Sequence, residues 1–237
     1  MFQRYKRRSY ELAGVALGGV VLDIGCGLGQ DVAALADLVG PTGRVVGIDH
    51  DPEMVRLAKD AVTAQNARIE IASASALPFN DGEFTAARID RVLMHIAGGE
   101  AVISETRRVL GSGAVAVAVE PDWGTYVLDV PDVALARRVL DARADAFADG
   151  FVGRRLYRMF RDAGFVDIRV EPFVVLNTEY DAASRGVDLA HAAQFGIRAG
   201  TVTSDEASRW AEMTAQVAAA TTFLSAVTLF MVAGRRP

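Results

Sequence analysis

The chain is 237 residues long, which at about 100–200 residues per domain means one domain with room for an elaborated lid. Apolar residues make up 51% and charged residues 23%, which excludes a disordered chain and supports a core needing no staple. A net charge of −5 argues against nucleic acid and anionic membranes as partners, and a single cysteine, Cys26, excludes an internal disulfide framework.

Three scattered histidines, His50, His95 and His191, give a metal site little to build on, so none is expected. Lys6 and Lys59 are the only lysines, leaving 23 of the 25 basic residues as arginine. With abundant Ala, Val and Gly, that bias points to translation of a GC-rich bacterial genome.

Arg4, Lys6, Arg7 and Arg8 precede an apolar stretch from Leu12 to Leu22, which mimics a signal peptide. Three glycines interrupt the stretch and no small-residue cleavage site follows. No run reaches the roughly 18 apolar residues of a membrane helix. The expectation is a cytoplasmic protein, monomeric or homodimeric.

Strand-like and helix-like segments alternate through the first half. Val20–Ile24 is a short β-branched run ended by glycines. Residues 31–39 carry Val32, Leu35, Ala36 and Val39 on one helical side, and Gly40-Pro-Thr-Gly43 stops them. Residues 44–49 form a second strand. Asp51-Pro-Glu-Met54 then opens a helix with an acidic cap, a proline at the first position and an acid in the first turn. Strands follow over 68–72, 84–89 and 114–120, with a helix over 100–110. Nearly unbroken apolar strands alternating with helices imply a parallel sheet covered on both faces.

The second half differs. Residues 131–149 and 153–163 read as helices, 166–176 as a sixth strand, 182–198 and 204–220 as a helical pair, and 223–233 as a last strand. No linker or internal repeat divides the chain.

The segment Val21-Leu-Asp-Ile-Gly-Cys-Gly-Leu-Gly29 carries the most information. A glycine-rich turn from strand into helix lets backbone approach a ligand closely, with helix N–H groups pointing at it. Gln30 stands where a dinucleotide fingerprint has Gly or Ala, which makes a nicotinamide dehydrogenase the weakest reading. Asp23, two residues before the first glycine, would repel a pyrophosphate and suits a ligand bearing positive charge.

On these residues the chain resembles the class I S-adenosylmethionine-dependent methyltransferases, near the small-molecule branch that includes ubiquinone/menaquinone-biosynthesis C-methyltransferases. The resemblance covers about residues 20–120, the cofactor-binding half. It implies an α/β fold: a Rossmann-like, seven-stranded, mostly parallel sheet flanked by helices, with the last strand antiparallel. Residues 121–237 become an acceptor-binding half of the same domain, with helical lid insertions over 132–150 and 180–220 after strands five and six.

The resemblance also implies site residues. Asp23, Gly25, Gly27 and Gly29 face the methionine part of S-adenosylmethionine, with Asp23 favouring its ammonium. Asp49, ending the second strand, holds both ribose hydroxyls, a carboxylate being suited to a vicinal diol; a plain helix cap is its alternative. His50 and Met54 pack round the adenine, or are surface and core residues respectively. Ser73-Ala-Ser-Ala-Leu-Pro-Phe79 resembles the family's adenine segment with Ser73 in place of its usual Asp, and Ala74 adds a backbone N–H. Arg88 and Asp90 pair near the cofactor.

The Asn/Asp-Pro-Pro-Tyr/Phe segment of DNA and glutamine N-methyltransferases is absent, which disfavours nucleic-acid and protein substrates. His95 is the candidate catalytic base, or a satisfied histidine at a helix start. Trp123 and Tyr126 follow strand five and offer a flat organic acceptor a stacking face, or pack beneath the next helix. The arginines between 137 and 161 attract an anionic substrate or form a salt-bridged face. The expected activity is O- or C-methylation of a small organic acceptor, natural products among them, with S-adenosylhomocysteine as product. The alternatives are a cofactor-binding tailoring enzyme such as a cyclase, and a non-catalytic cofactor-binding protein.

Overall fold

A computed structural model describes residues 2–219 and 223–237. It contains helices α1 (Phe2–Leu12), α2 (Gln30–Val39), α3 (Pro52–Ala61), α4 (Gly99–Val109), α5 (Val133–Asp145), α6 (Val152–Asp162), α7 (Tyr180–Val187), α8 (Ala193–Ala199) and α9 (Ser204–Ala219). The strands are β1 (Val20–Ile24), β2 (Arg44–Asp49), β3 (Ala67–Ile71), β4 (Phe84–Asp90), β5 (Leu110–Leu128), β6 (Val166–Asn177) and β7 (Ser225–Arg235). They form one sheet in the order β3-β2-β1-β4-β5-β7-β6.

The pairs β1–β2, β1–β4, β2–β3 and β4–β5 are parallel, with Val21 in register with Val45 and with Ala86. Both faces of β1 are covered, so Val21, Leu22 and Ile24 are all buried and the strand needs no polar alternation. Along the β5–β7 edge the register descends. The Gly113 N–H donates to the Arg236 carbonyl, the Arg236 N–H to Ala114, and the Asp129 N–H to Leu224. Thus β7 is antiparallel, as the sheet was expected to end.

The chain divides into two compact units. The first comprises residues 1–120, 154–171 and 230–237; the second, residues 121–153 and 172–229. In the first, α2 packs on β1 and β2, and α3 on β2 and β3. The second has its own core, in which Leu135, Val139, Leu189 and Phe223 surround the buried Trp210. The Trp210 Nε1–H donates to the Leu189 carbonyl at 2.6 Å, so the indole is buried without an orphaned donor.

Three readings depart from expectation. Helix α1 was not foreseen: its inward stripe is Tyr5, Ser9 and Tyr10, followed by Ala13, and three hydroxyl side chains hide the apolar period. Strand β5 was expected over 114–120 but continues to Leu128, because its far end pairs with β7; the Thr228 N–H donates to Thr125 Oγ1 at 2.9 Å. Residues 182–198 are two helices, broken where Asp188 takes φ 51° and ends α7, a left-handed position that Asp tolerates better than most residues. Helix α9 is described to Ala219; residue 220, where the expected helix ended, lies outside the described residues.

Candidate functional site

The strand order places neighbours of β1 on opposite sides: the chain moves from β1 to β2 in one direction and reaches β4 in the other. The carboxyl ends of β1 and β4 therefore open the crevice where ligands bind in such sheets. Two cavities occur there, both within the first unit. The larger, of about 620 Å³, is lined by residues that include Asp49, His50, Ser73, Ala74 and His95. The smaller, of about 330 Å³, is lined by residues that include Lys6, Gly27, Asp31, Asp90 and His95. Gly25, Arg91 and His95 line both.

The three glycines of the turn do different work. A Cβ on Gly25 would lie 2.3 Å from Val92 Cγ2, and one on Gly29 2.6 Å from Val62 Cγ2. These two are required by the protein's own packing rather than by a ligand. A Cβ on Gly27 would meet nothing within 4 Å. Gly27, which lines the smaller cavity, is the one glycine of the three with open space at its Cβ position; it sits at φ 51°, a conformation glycine adopts without penalty.

Asp49 binds the turn from the end of β2. Its Oδ2 accepts from the Gly27 N–H at 2.9 Å and its Oδ1 from the Asp51 N–H at 3.1 Å. Its side chain is 11% exposed. Each oxygen keeps acceptor capacity beyond one backbone bond. The helix-cap role falls instead to Asp51, which accepts from the Glu53 N–H. His50 Nδ1 is 3.3 Å from Asp49 Oδ1, with its ring on the surface. Met54 lines neither cavity: the lining stops at His50, because the chain caps and enters α3 directly afterwards. The Ser73 hydroxyl is 3.0 Å from that of Ser75.

Beneath the smaller cavity is Arg88, 2% exposed. It reaches Asp90 at 2.6 Å, Asp23 at 3.1 Å and Asp31 at 3.2 Å, and its Nε donates to Ser9 Oγ at 2.9 Å. A buried guanidinium is tolerable only when paired and hydrogen-bonded in this way. Asp23 is therefore spent on Arg88; it is buried and lines neither cavity, contrary to its expected place beside the cofactor ammonium. Burial pushes its carboxyl up to about 6, against the pull of Arg88. Burial also raises Asp31, but Arg88, Lys6 and Tyr10 together hold it below the ordinary range. Asp90 lines the smaller cavity, and its carboxylate makes the expected pair with Arg88.

Helix α1 supplies what the sequence reading missed. Tyr5 donates to Asp90 at 3.2 Å, Lys6 to Asp31 at 2.6 Å, and Tyr10 to Asp31. The signal was the run Tyr5-Lys-Arg-Arg-Ser-Tyr10, whose hydroxyls fall on one helical face.

After β4, the Arg91 backbone is left-handed at φ 58°. A 3₁₀ turn, Leu93–His95, follows. The buried Glu120 carboxylate anchors that turn by accepting from the N–H groups of Val92, Leu93 and Met94 at 2.8, 2.7 and 3.4 Å. Burial pushes Glu120 up to about 8 against these donors. Trp123 and Tyr126 belong to the second unit, where both pack against its core. Trp123 stacks on Phe147 with centroids 5.3 Å apart and planes 6° apart. No group of His, Cys, Asp and Glu suited to a metal occurs among the described residues. No described helix is long and apolar enough to cross a membrane.

A methyltransferase-domain family model matches residues 21–113. The chain is 30% identical over 185 residues to a demethylmenaquinone methyltransferase of Staphylococcus aureus, covering 71% of this chain and 77% of that protein. It is 36% identical over 217 residues to an uncharacterized 37.1 kDa protein in transposon TN4556 of Streptomyces fradiae. That match covers 91% of this chain and 62% of the relative, so the chain spans under two thirds of its length. Among solved structures, a putative methyltransferase of Bacillus halodurans shares the fold with a TM-score of 0.67 at 17% identity, over 98% of this chain and 99% of that one. The fold and crevice define a Rossmann-like α/β protein. The chain belongs to the class I S-adenosylmethionine-dependent methyltransferases, whose cofactor is S-adenosylmethionine. The residues fit that cofactor: Gly27 offers a cradle that a Cβ would fill, and Asp49 offers a diol two acceptors.

Proposed function

We propose that this protein transfers a methyl group from S-adenosylmethionine to an oxygen or carbon of a small organic acceptor in the bacterial cytoplasm. The observation that carries the reading is the pairing of Asp49 with Gly27: one carboxylate shapes the glycine turn and still faces the 620 Å³ cavity. The demethylmenaquinone methyltransferase relative supports an organic, non-macromolecular acceptor.

Asp49 would hold the ribose hydroxyls, with Ser73, Ala74 and His50 around the adenine. Gly27 and Asp90 would meet the methionyl end. Asp23 enters this reading only through Arg88, whose charge it helps neutralise. When bound, the cofactor supplies an electrophilic methyl group on a sulfonium. The chain's own task is to orient a nucleophile and exclude water, so proximity carries much of the rate. His95, lining both cavities, would accept a proton from an acceptor that carries one at neutral pH. Trp123 and Tyr126 would recognise the acceptor by ring stacking.

The test is incubation of purified protein with S-adenosylmethionine and a panel of phenols, quinols and enolisable ketones, with product mass spectrometry. A product heavier by one methylene unit, with S-adenosylhomocysteine released, supports the reading. Cofactor-dependent rearrangement of an acceptor without that mass gain would instead establish a cyclase-like catalyst.

A further inference from the structure

We infer that Lys6 of α1 binds the carboxylate of the amino-acid part of the cofactor, making the N-terminal helix a wall of the methionyl subsite. The inference rests on the cofactor reading above and adds the residue that would recognise the anionic end of the ligand.

Gly27 and Lys6 both line the smaller cavity. A methionyl group bears one ammonium and one carboxylate, so a matched subsite needs a fixed anion and a fixed cation. Asp90 and Asp31 supply the anions. Of the cations in the lining, Arg88 is committed, with three carboxylates and Ser9 around its guanidinium, and Arg91 reaches Asp90 at 3.4 Å and lines the larger cavity as well. Lys6 is not exhausted by its partner. Its ammonium has three donors, and the 2.6 Å bond to Asp31 uses one.

Lys6 is also held in place. Tyr5 is bonded to Asp90, Ser9 to Arg88 and Tyr10 to Asp31, so α1 is fastened on both sides of Lys6. The side chain is 20% exposed, open enough to meet a ligand and sheltered enough for the charge to count. Asp31 therefore orients the lysine, much as one carboxylate orients a cation for another.

The experiment separates the two ends of the ligand. Calorimetry is run with S-adenosylhomocysteine and with 5′-methylthioadenosine, which keeps the adenosyl thioether and lacks the amino-acid part. Lys6→Met should weaken S-adenosylhomocysteine about tenfold or more, the scale for losing a hydrogen bond to a charged group, and leave methylthioadenosine within about twofold. Lys6→Arg should restore most of the loss. Tyr10→Phe, which loosens α1 without removing a charge, should show no preference between the two ligands.

Equal weakening of both ligands by Lys6→Met, or no weakening of either, overturns the inference; the lysine would then only fasten α1. Should Lys6→Met fail to fold, Lys6→Gln gives the same comparison with a polar replacement. Wild-type protein that binds neither ligand overturns the cofactor reading itself, a result distinct from a lost preference in the variants.

Discussion

Asp49 and Gly27 show how one contact serves structure and chemistry together. The Gly27 N–H is bound by the carboxylate proposed to bind the ribose, so the turn and the diol site share one anchor. Asp49→Ala should weaken S-adenosylhomocysteine by about 1.5–3 kcal/mol, the scale for hydrogen bonds to a charged group; unchanged affinity in calorimetry removes Asp49 from the site. The glycines separate more sharply. Gly27→Val should abolish cofactor binding, since it fills open space on the cavity side. The protein should remain folded, because a Cβ there meets nothing within 4 Å and the strain of the left-handed backbone, about 1–2 kcal/mol, is small against the stability of a whole domain. Gly29→Val, by contrast, pushes against Val62 and Ala58 and should lower the thermal midpoint. Circular dichroism melts alongside calorimetry distinguish the two; a folded Gly27→Val protein with normal affinity means the turn does not face the cofactor.

At the scale of elements, the turn from β4 through Leu93–His95 depends on Glu120. The geometry and the burial pull in opposite directions there: three N–H groups favour the carboxylate, and loss of water favours the neutral acid. Burial wins, lifting the group from 4.5 to about 8. Between those values the native state keeps a proton that the unfolded chain has released. Stability contributed by this group therefore falls as pH rises from about 4.5 to 8. Glu120→Gln, shaped like the neutral acid, should flatten that slope and raise the melting temperature relative to wild type at pH 8 and above. A variant less stable than wild type at pH 8.5 in scanning calorimetry would show that the donors dominate. None of this coupling is visible along the sequence, since Glu120 and Val92 meet only once β4 and β5 pair. The same holds for Asp23 and Arg88. They are register partners on β1 and β4, and until the strands are ordered Asp23 looks free to face a ligand. Strands β1, β2 and β4 were legible because each is a short, largely apolar run closed by Gly or Asp. Helix α1 was not, because tyrosines and a serine form its inward stripe, so its role at Asp31 and Asp90 stayed hidden.

For the whole molecule, the chain divides into two compact units built from different stretches of sequence. All residues lining the two crevice cavities come from the first unit. The second unit is organised round its own core at Trp210, and Trp123 and Tyr126 pack on that core from β5. With Trp123 and Tyr126 proposed for the acceptor and the cavity-lining residues for the cofactor, cofactor affinity and acceptor turnover should be separable by mutation. Trp123→Ala removes the ring stacked on Phe147, and Tyr126→Ala removes a second aromatic 6.1 Å away. Both changes cost packing within the second unit, since truncating a large aromatic costs several kcal/mol when it is fully buried and less where it is only partly so. Neither Trp123 nor Tyr126 is among the residues that line the two cavities. Each variant should therefore keep S-adenosylhomocysteine affinity within about threefold, under ~0.7 kcal/mol, while losing turnover with the true acceptor. His95→Ala should lower kcat more than it raises KM if the imidazole takes the proton. Calorimetry and initial-rate assays on the same preparations provide the comparison. A loss of cofactor affinity on the scale of Asp49→Ala from either aromatic substitution would show that the second unit takes part in holding the cofactor, and the acceptor assignment of Trp123 and Tyr126 would fall with it.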